Sequence, residues 1–175
     1  MLGSDITLRD GRVVHLRPTA PDDVPELLQG FGRMSEHARY MRLMHVVKEP
    51  NVERMRAAIA SFPEHGIGLV ATTPAADGYD IAASCIAIFA DDGKKCEFAI
   101  TVDAAFSGTG LGTALMTALI AEARKRGLEE MEGFVLSENQ PMLRLARRLG
   151  FSTGFVRGDP SVRLCRLELQ PAVAG

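Results

Sequence analysis

The most informative stretch of the sequence is Phe106-Ser107-Gly108-Thr109-Gly110-Leu111-Gly112-Thr113-Ala114-Leu115, which joins a strand-like run to an amphipathic helix pattern. Glycine has no Cβ, so three alternating glycines allow backbone amides to approach a ligand closely. The helix that follows presents unpaired N–H groups and the positive end of its dipole. Together these features predict an anion site, for which a phosphate or pyrophosphate is the natural ligand.

Two common phosphate-binding loops do not match this stretch. The P-loop requires Lys and then Ser or Thr directly after its second glycine, and neither follows here. The dinucleotide fingerprint G-x-G-x-x-G requires a glycine where Thr113 stands. A purely structural role, in which the glycines only allow the helix to pack closely on the sheet, remains an alternative.

The composition is that of an ordinary globular chain of 175 residues, which we interpret as a single domain over residues 1–175. A net charge of −2 gives no reason to expect nucleic acid or an anionic membrane as a partner. No apolar run approaches the roughly 20 residues of a membrane span, and no signal peptide is evident. Cys85, Cys96 and Cys165 form no CxxC pair, which indicates free thiols in a reducing compartment. We therefore expect a cytoplasmic protein without a metal site.

Hydrophobic patterning predicts an α/β sheet of mixed, mostly antiparallel direction with helices on both faces. The predicted strands are 6–8, 13–17, 67–73, 81–90, 96–102, 131–136, 151–156 and 162–169. The predicted helices are one capped by Thr19, a short turn at 35–41, one from Asn51 to Ile59, one of about 16 residues after the glycines, and 139–148. Residues 74–79 are predicted to be a loop, and Asp10-Gly11 a hairpin turn. Strand 162–169 is a candidate edge for a homodimer.

The stretch Ser107-Gly108-Thr109-Gly110-Leu111-Gly112 resembles motif A of the GNAT superfamily of N-acetyltransferases, usually Gln/Arg-x-x-Gly-x-Gly/Ala. Asn139, followed by a helix that ends at Gly150-Phe151, resembles the second signature of that superfamily. The resemblance covers most of the chain and is strongest from Cys96 to Phe151. It implies an α/β (α+β) GNAT fold in which two neighbouring strands splay apart.

Further segments are most similar to the bacterial protein lysine acetyltransferase branch of the superfamily. They are Leu16-Arg17-Pro18, Asp22-Asp23, Tyr40-Met41-Arg42 and Cys96-Glu97-Phe98-Ala99-Ile100. Members of this branch modify metabolic enzymes such as acyl-coenzyme A synthetases. The resemblance implies transfer of acetyl from acetyl-CoA to a primary amine, with a protein lysine as the favoured acceptor.

The same resemblance implies which residues bind acetyl-CoA. Backbone amides from Gly108 to Thr113 would hold the pyrophosphate, and strand 100–102 would pair its backbone with the pantetheine arm. The N–H of Val102 would polarise the thioester carbonyl, and Asn139 would contact the arm. The full implied set is Ile100, Thr101, Val102, Ser107, Gly108, Thr109, Gly110, Leu111, Gly112, Thr113 and Asn139.

The sequence departs from the family pattern at two positions. Ser107 stands where Gln or Arg is usual, which removes one expected phosphate contact. Ala146 stands where many members have a tyrosine that protonates the leaving thiolate. Thiols have a pKa near 8.5, so we expect water to protonate the coenzyme A thiolate.

Glu97 is the candidate general base. Lysine has a pKa near 10.4, so a carboxylate must take its proton before the amine can attack. Strand alternation places Glu97 opposite the apolar face formed by Cys96 and Phe98, and partial burial is expected to suit it to this role. The alternative is a solvated carboxylate paired with Lys94 or Lys95.

The acceptor side is the least informative part of the chain. Tyr40 and Arg42 match the branch motif, and Ser137 and Glu138 end the strand that splays away. An acidic cleft of Glu97, Glu138 and Asp103 would suit a cationic acceptor. His15, His37, His45 and His65 show no metal-ligand spacing. Acetylation of a small amine, or a non-catalytic CoA-binding sensor, remain the alternative functions.

Overall fold

The computed structural model describes residues 2–38 and 51–170. Its strands form one eight-stranded sheet in the order β1-β2-β3-β4-β5-β6-β8-β7. The strands are β1 (Ser4–Thr7), β2 (Val13–Pro18), β3 (Gly66–Ala75), β4 (Gly78–Phe89), β5 (Lys95–Val102), β6 (Glu130–Leu136), β7 (Ser152–Val156) and β8 (Asp159–Glu168). The helices are α1 (Val24–Arg33), α2 (Val52–Ala60), α3 (Leu111–Lys125) and α4 (Gln140–Arg148).

Strands β5 and β6 are parallel and then separate. They pair from Lys95↔Glu130 to Glu97↔Glu132, although β5 continues to Val102 and β6 to Leu136. The other neighbouring strands described in the structure pair in antiparallel fashion. Helix α3 connects the parallel pair, as the crossover between parallel strands requires. The predicted mixed sheet and its splayed strand pair are therefore confirmed.

Helices cover both faces of the sheet. Leu69 and Ala71 of β3 share one core cluster with Leu115 and Leu119 of α3. Val70, between the two β3 residues, is completely buried and faces the other side, because successive strand side chains alternate. Helix α1 packs against β4, whereas α3 packs against β3, β4 and β5, and α4 packs against β7.

A phenylalanine lies over a glycine at the point where β5 and β6 begin to separate. A Cβ added to Gly133 would meet ring atoms of Phe98 at 2.5–2.8 Å. The same ring packs edge-on against Phe151, with 5.2 Å between centroids. The Phe98 ring therefore leaves no room for a side chain at position 133, because Cβ atoms do not approach other atoms this closely.

Gly133→Ala is expected to lower the free energy of unfolding by about 1–3 kcal/mol, because the Phe98 ring must move within a packed core. Urea denaturation measures this change. Gly154→Ala in β7 is the matched control, since its Cβ would have its nearest neighbour, the Leu164 carbonyl oxygen, at 3.9 Å. Equal stability of the two variants would contradict this explanation of Gly133.

The predicted cap of the first helix is wrong. Helix α1 is preceded by a 3₁₀ turn, Pro21–Asp23, whose N-cap is Ala20 rather than Thr19. The Asp23 carboxylate accepts the Ala20 N–H at 2.7 Å and also binds Arg17 and Tyr79. The cap of α2 is as predicted, because the Asn51 side chain accepts the Arg54 N–H at 3.0 Å.

Two predictions about strand boundaries also need correction. Residues 74–79 are largely strand, because β3 and β4 pair as far as Ala75↔Gly78. Pro74 is tolerated there because β2 pairs with β3 only as far as Thr72, so the proline has no second neighbour. Strand β8 lies between β6 and β7 and so offers no edge for a dimer.

Of the predicted turn at 35–41, residues 36–38 are helical and the Ser35 hydroxyl accepts the Ala38 N–H. Tyr40, Arg42 and His45 lie outside the described residues. Among the helices that are described, none combines the length and the hydropathy that a membrane span requires.

Candidate active site

A cavity of about 200 Å³ fills the gap between β5 and β6. Its walls are residues 98–102 of β5, Phe134 and Val135 of β6, and the start of α4. Met34 and Ala38, which follow α1, close one side. Ile100, Thr101, Val102 and Asn139 of the predicted acetyl-CoA set therefore come together in one cleft.

The edge of β5 presents backbone groups to this cleft. The carbonyl oxygen of Lys94 accepts the Glu129 N–H at 2.7 Å, whereas the N–H of Asp103 donates to Ala82 of β4 at 2.9 Å. The backbone N–H and C=O groups of successive residues in a strand point to opposite edges of the strand. Those of odd-numbered residues in β5 therefore point towards β4, and those of even-numbered residues point away from β4. The N–H groups of Ile100 and Val102 consequently point into the gap, where an extended ligand can add to the strand edge.

The glycine loop ends beside this cleft with several free amides. Gly108 and Gly110 have φ angles of +74° and +87°, which turn the backbone into α3. Within the described residues, the backbone hydrogen bonds include none from the N–H groups of Gly108, Gly110, Gly112 or Thr113. Free amides at the positive end of a 15-residue helix form a site for an anion.

The remaining residues of the loop hold its shape. Thr109 is buried, and its hydroxyl donates to the Phe106 carbonyl at 2.6 Å and accepts the Leu111 N–H at 3.4 Å. The side chain of Leu111 is in the core, whereas Ser107 is exposed. A Cβ at Gly112 would meet Leu145 at 3.3 Å, so the packing alternative explains Gly112. It does not explain Gly108, which has open space around it.

Asn139 has a structural role as well as a place in the cleft. Its side-chain oxygen accepts the Met142 N–H at 3.3 Å and so caps α4. The same residue lines the cavity.

Glu97 lies at the apex of the splayed pair. It is the last residue of β5 that pairs with β6, opposite Glu132, and its other neighbour is Ile88 of β4. Its side chain is exposed rather than partly buried as expected, and it is next to the cavity wall rather than part of it. Lys94 and Lys95 pair with Glu129 and Glu130 instead, so neither lysine supports the alternative of a Glu97 ion pair.

The cysteines are unsuited to covalent catalysis. Burial, with a smaller contribution from the charge of Glu132, raises the pKa of the Cys96 thiol to about 12. Burial also raises the pKa of Cys165, and Cys85 is buried and forms no disulfide. Because the thiolate is the nucleophile, these groups give no alternative to direct attack by the acceptor amine.

Glu97, Glu138 and Asp103, the residues of the expected acidic cleft, do not line the cavity between β5 and β6. Asp103 accepts the Ala105 N–H and lies 3.5 Å from Arg33. The Ser137 hydroxyl donates to Pro160, and Glu138 is exposed. His15 contacts Asp5, whereas His37 and His65 are exposed. In residues 2–38 and 51–170, no group of three or more His, Cys, Asp or Glu could hold a metal ion.

The β1–β2 hairpin turn lies where Asp10-Gly11 predicted it, but its contact with the glycine loop was not predicted from the sequence. The N–H of Arg9 donates to the Thr109 carbonyl at 3.1 Å, and Arg12 donates to the Ala105 carbonyl at 2.6 Å. The arginines beside the predicted Asp10-Gly11 turn were the available signal. Their position near residue 109 depends on long-range strand pairing that the local sequence does not specify.

A mostly antiparallel sheet with a splayed pair, and a loop of free amides beside the gap, is the architecture of the GNAT acetyltransferases. The family model described as acetyltransferase (GNAT) domain matches residues 14–152. The chain therefore belongs to the GNAT acetyltransferase family, and the predicted family and enzyme class are confirmed.

Particular relatives extend this assignment. The chain is 28% identical over 166 residues to acetyltransferase Pat of Mycolicibacterium smegmatis, covering 95% of this chain and 49% of that protein. It thus spans about half the length of that relative. The GNAT domain of S. lividans PAT superposes with a TM-score of 0.83 at 22% identity, covering 94% of this chain and 96% of that one. The structure of yncA from Salmonella typhimurium with acetyl-CoA gives a TM-score of 0.69 at 19% identity, covering 93% and 97%.

Proposed function

We propose that this chain transfers the acetyl group of acetyl-CoA to the side-chain amine of a protein lysine. The observation that carries the proposal is the adjacency of three features: free amides of the glycine loop, the open edge of β5, and Glu97 at the apex of the cleft. The amides suit a pyrophosphate and the strand edge suits the pantetheine arm. The carboxylate suits the acceptor amine.

In the proposed reaction, Glu97 takes a proton from the lysine ammonium, directly or through water. The free amine attacks the thioester carbon, so a C–N bond forms and the C–S bond breaks. The N–H of Val102 stabilises the negative charge that develops on the carbonyl oxygen. The nitrogen loses its second proton to water as the amide forms, and coenzyme A leaves as a thiolate that takes a proton from water, since Ala146 provides no acidic group.

The surface around Glu97 favours an acceptor carried by a protein. Ile88, beside Glu97 in the sheet, is 38% exposed, and Phe134 is 42% exposed. An open apolar surface around a carboxylate is suited to a lysine presented by another protein, since small-molecule sites usually enclose their ligand. The resemblance of Cys96-Glu97-Phe98-Ala99-Ile100 to the protein lysine acetyltransferase branch supports the same choice. We also propose a cytoplasmic location, which is supported by the lack of a disulfide among Cys85, Cys96 and Cys165.

Acetyl transfer to a panel of acceptors tests the choice of substrate. The panel contains a lysine peptide, the same peptide with arginine in place of lysine, free lysine and small polyamines. We expect mass spectrometry to detect one added acetyl group on the lysine peptide and none on the arginine peptide. Acetylation of the small amines alone would overturn the proposal in favour of a small-molecule acetyltransferase. Binding of acetyl-CoA without transfer to any acceptor would indicate a sensor.

A further inference from the structure

The β1–β2 turn is fixed firmly against the glycine loop. Leu8, at the start of the turn, is 5% exposed and belongs to the main core cluster. The Arg9 N–H donates to the Thr109 carbonyl. The Arg12 guanidinium donates to the Ala105 carbonyl and lies 4.0 Å from the centre of the Phe106 ring. The position of residue 9 relative to the loop is therefore determined by contacts on both sides.

The two arginines of this turn have different surroundings. Arg12 binds Asp10 through its Nε at 2.7 Å, and its backbone N–H donates to the same carboxylate. Its charge is therefore already paired. The side chain of Arg9 is exposed and has no ion pair or side-chain hydrogen bond within the part of the chain that the structure describes.

The Arg9 guanidinium lies against Gly110, the N-cap residue of α3. A Cβ at Gly110 would be 3.4 Å from the Arg9 Nε and 3.7 Å from its Cζ. The absence of a side chain at Gly110 therefore leaves the guanidinium beside the free amides of the loop. Amides carry no net charge, whereas a guanidinium offers a full positive charge and a planar set of donors that match phosphate oxygens.

We propose that Arg9 binds the pyrophosphate of acetyl-CoA and supplies the cationic contact that Ser107 cannot make. This inference rests on the proposed function, because it assumes that acetyl-CoA is the acyl donor. It assigns a binding role to a residue almost 100 positions before the glycine loop in the sequence. Arg9 would act on affinity for the donor, and Glu97 on the chemical step.

Calorimetric titration of Arg9→Ala with three donors tests this role. The donors are acetyl-CoA, acetyl-dephospho-CoA, which lacks the 3′-phosphate, and S-acetylpantetheine, which lacks the pyrophosphate. We expect Kd to rise about tenfold to a hundredfold for the first two donors, as for loss of a charged hydrogen bond. For S-acetylpantetheine we expect the variant and the wild type to agree within about twofold, since no phosphate is present.

Two further variants make the result interpretable. Arg9→Lys keeps the charge without the fork of donors and is expected to recover part of the affinity. Arg157→Ala, which removes an exposed arginine in the β7–β8 turn, is the matched control and is expected to bind all three donors normally. The melting temperature should be unchanged in each variant, because the Arg9 contact with Thr109 uses the backbone.

Four outcomes would overturn the inference. The first is that Arg9→Ala binds acetyl-CoA with the same Kd as the wild type. The second is that the Kd of Arg9→Ala rises as much for S-acetylpantetheine as for acetyl-CoA, which would indicate a structural role. The third is that the Kd of Arg9→Ala rises for acetyl-CoA but not for acetyl-dephospho-CoA, which would mean that Arg9 binds the 3′-phosphate rather than the pyrophosphate. Failure of the wild type to bind any donor would refute the proposed function itself, and the inference with it.

Discussion

Glu97→Gln is expected to lower kcat by about a hundredfold to ten-thousandfold, the usual contribution of a general base. The amide keeps the shape of the side chain but cannot accept the proton of a lysine ammonium. Because Glu97 lies beside the cavity wall rather than in it, the Kd for acetyl-CoA should stay within about twofold of wild type. Steady-state kinetics with a lysine peptide, combined with calorimetric titration of acetyl-CoA, measure both quantities.

Glu132→Gln is the matched control for this prediction. Glu132 is the partner of Glu97 across the parallel pair, and its carboxylate lies 3.6 Å from Arg166. Its loss should change kcat by no more than about threefold, as expected for a carboxylate outside the reaction. If kcat fell by a comparable factor in both variants, turnover would depend on the negative charge of this surface rather than on a general base at Glu97. Normal turnover of Glu97→Gln would remove Glu97 from the mechanism.

Asp23→Ala is expected to lower the free energy of unfolding by about 2–4 kcal/mol, because it leaves the partly buried Arg17 guanidinium and two further donors without their acceptor. The Asp23 side chain is 1% exposed, and its two oxygens accept from Arg17 at 2.8 and 2.7 Å. The same carboxylate accepts from the Tyr79 hydroxyl at 2.6 Å and from the Ala20 N–H. Its removal therefore leaves the hydrogen-bond donors of Arg17, Ala20 and Tyr79 without their acceptor. These donors connect β2, the start of the 3₁₀ turn and β4.

Urea denaturation of Asp23→Ala and of Asp22→Ala provides the measurement and its control. Asp22 is the exposed neighbour of Asp23 in the same 3₁₀ turn. Its replacement should change stability by less than about 0.5 kcal/mol. A loss below about 1 kcal/mol in Asp23→Ala would contradict the structural role of this network.

The stabilisation by Asp23 should also depend on pH. Burial raises the pKa of Asp23, but hydrogen bonds from Arg17, Tyr79 and Ala20 outweigh it, so the net effect lowers the pKa. A lowered folded-state pKa gives stability that is present above the unfolded value of about 3.9 and is lost as the pH falls through the folded value. The difference in stability between wild type and Asp23→Ala should therefore narrow below about pH 4.

Local sequence patterns predicted most of the elements that build the site. The alternation from Cys96 to Val102 and the apolar spacing in α3 each report on one face of one element, so they can be interpreted without knowledge of the rest of the chain. The alternating glycines and the apolar spacing after them predicted a loop that leads into a helix, and α3 does begin at Leu111. These features define the glycine loop and one wall of the cleft.

Features that depend on contacts between distant segments could not be predicted. Asp23 replaces Thr19 in organising the start of α1 because Arg17 and Tyr79 surround it, and Tyr79 is 56 residues away. The internal position of β8 is a property of strand order, and strand order is not visible in one strand. The contact between Arg9 and Gly110 could not be predicted either, because it depends on the pairing of strands that are distant in the sequence. The functional roles of Glu97 and the loop amides remain predictions.

Calorimetric titration of the wild-type protein with acetyl-CoA, with NADH and ATP as controls, tests the central claim most directly. We predict one site per chain with a dissociation constant in the micromolar range for acetyl-CoA, and no measurable binding of NADH or ATP. Absence of acetyl-CoA binding would contradict the account, because the loop amides and the cleft would then have no donor to hold.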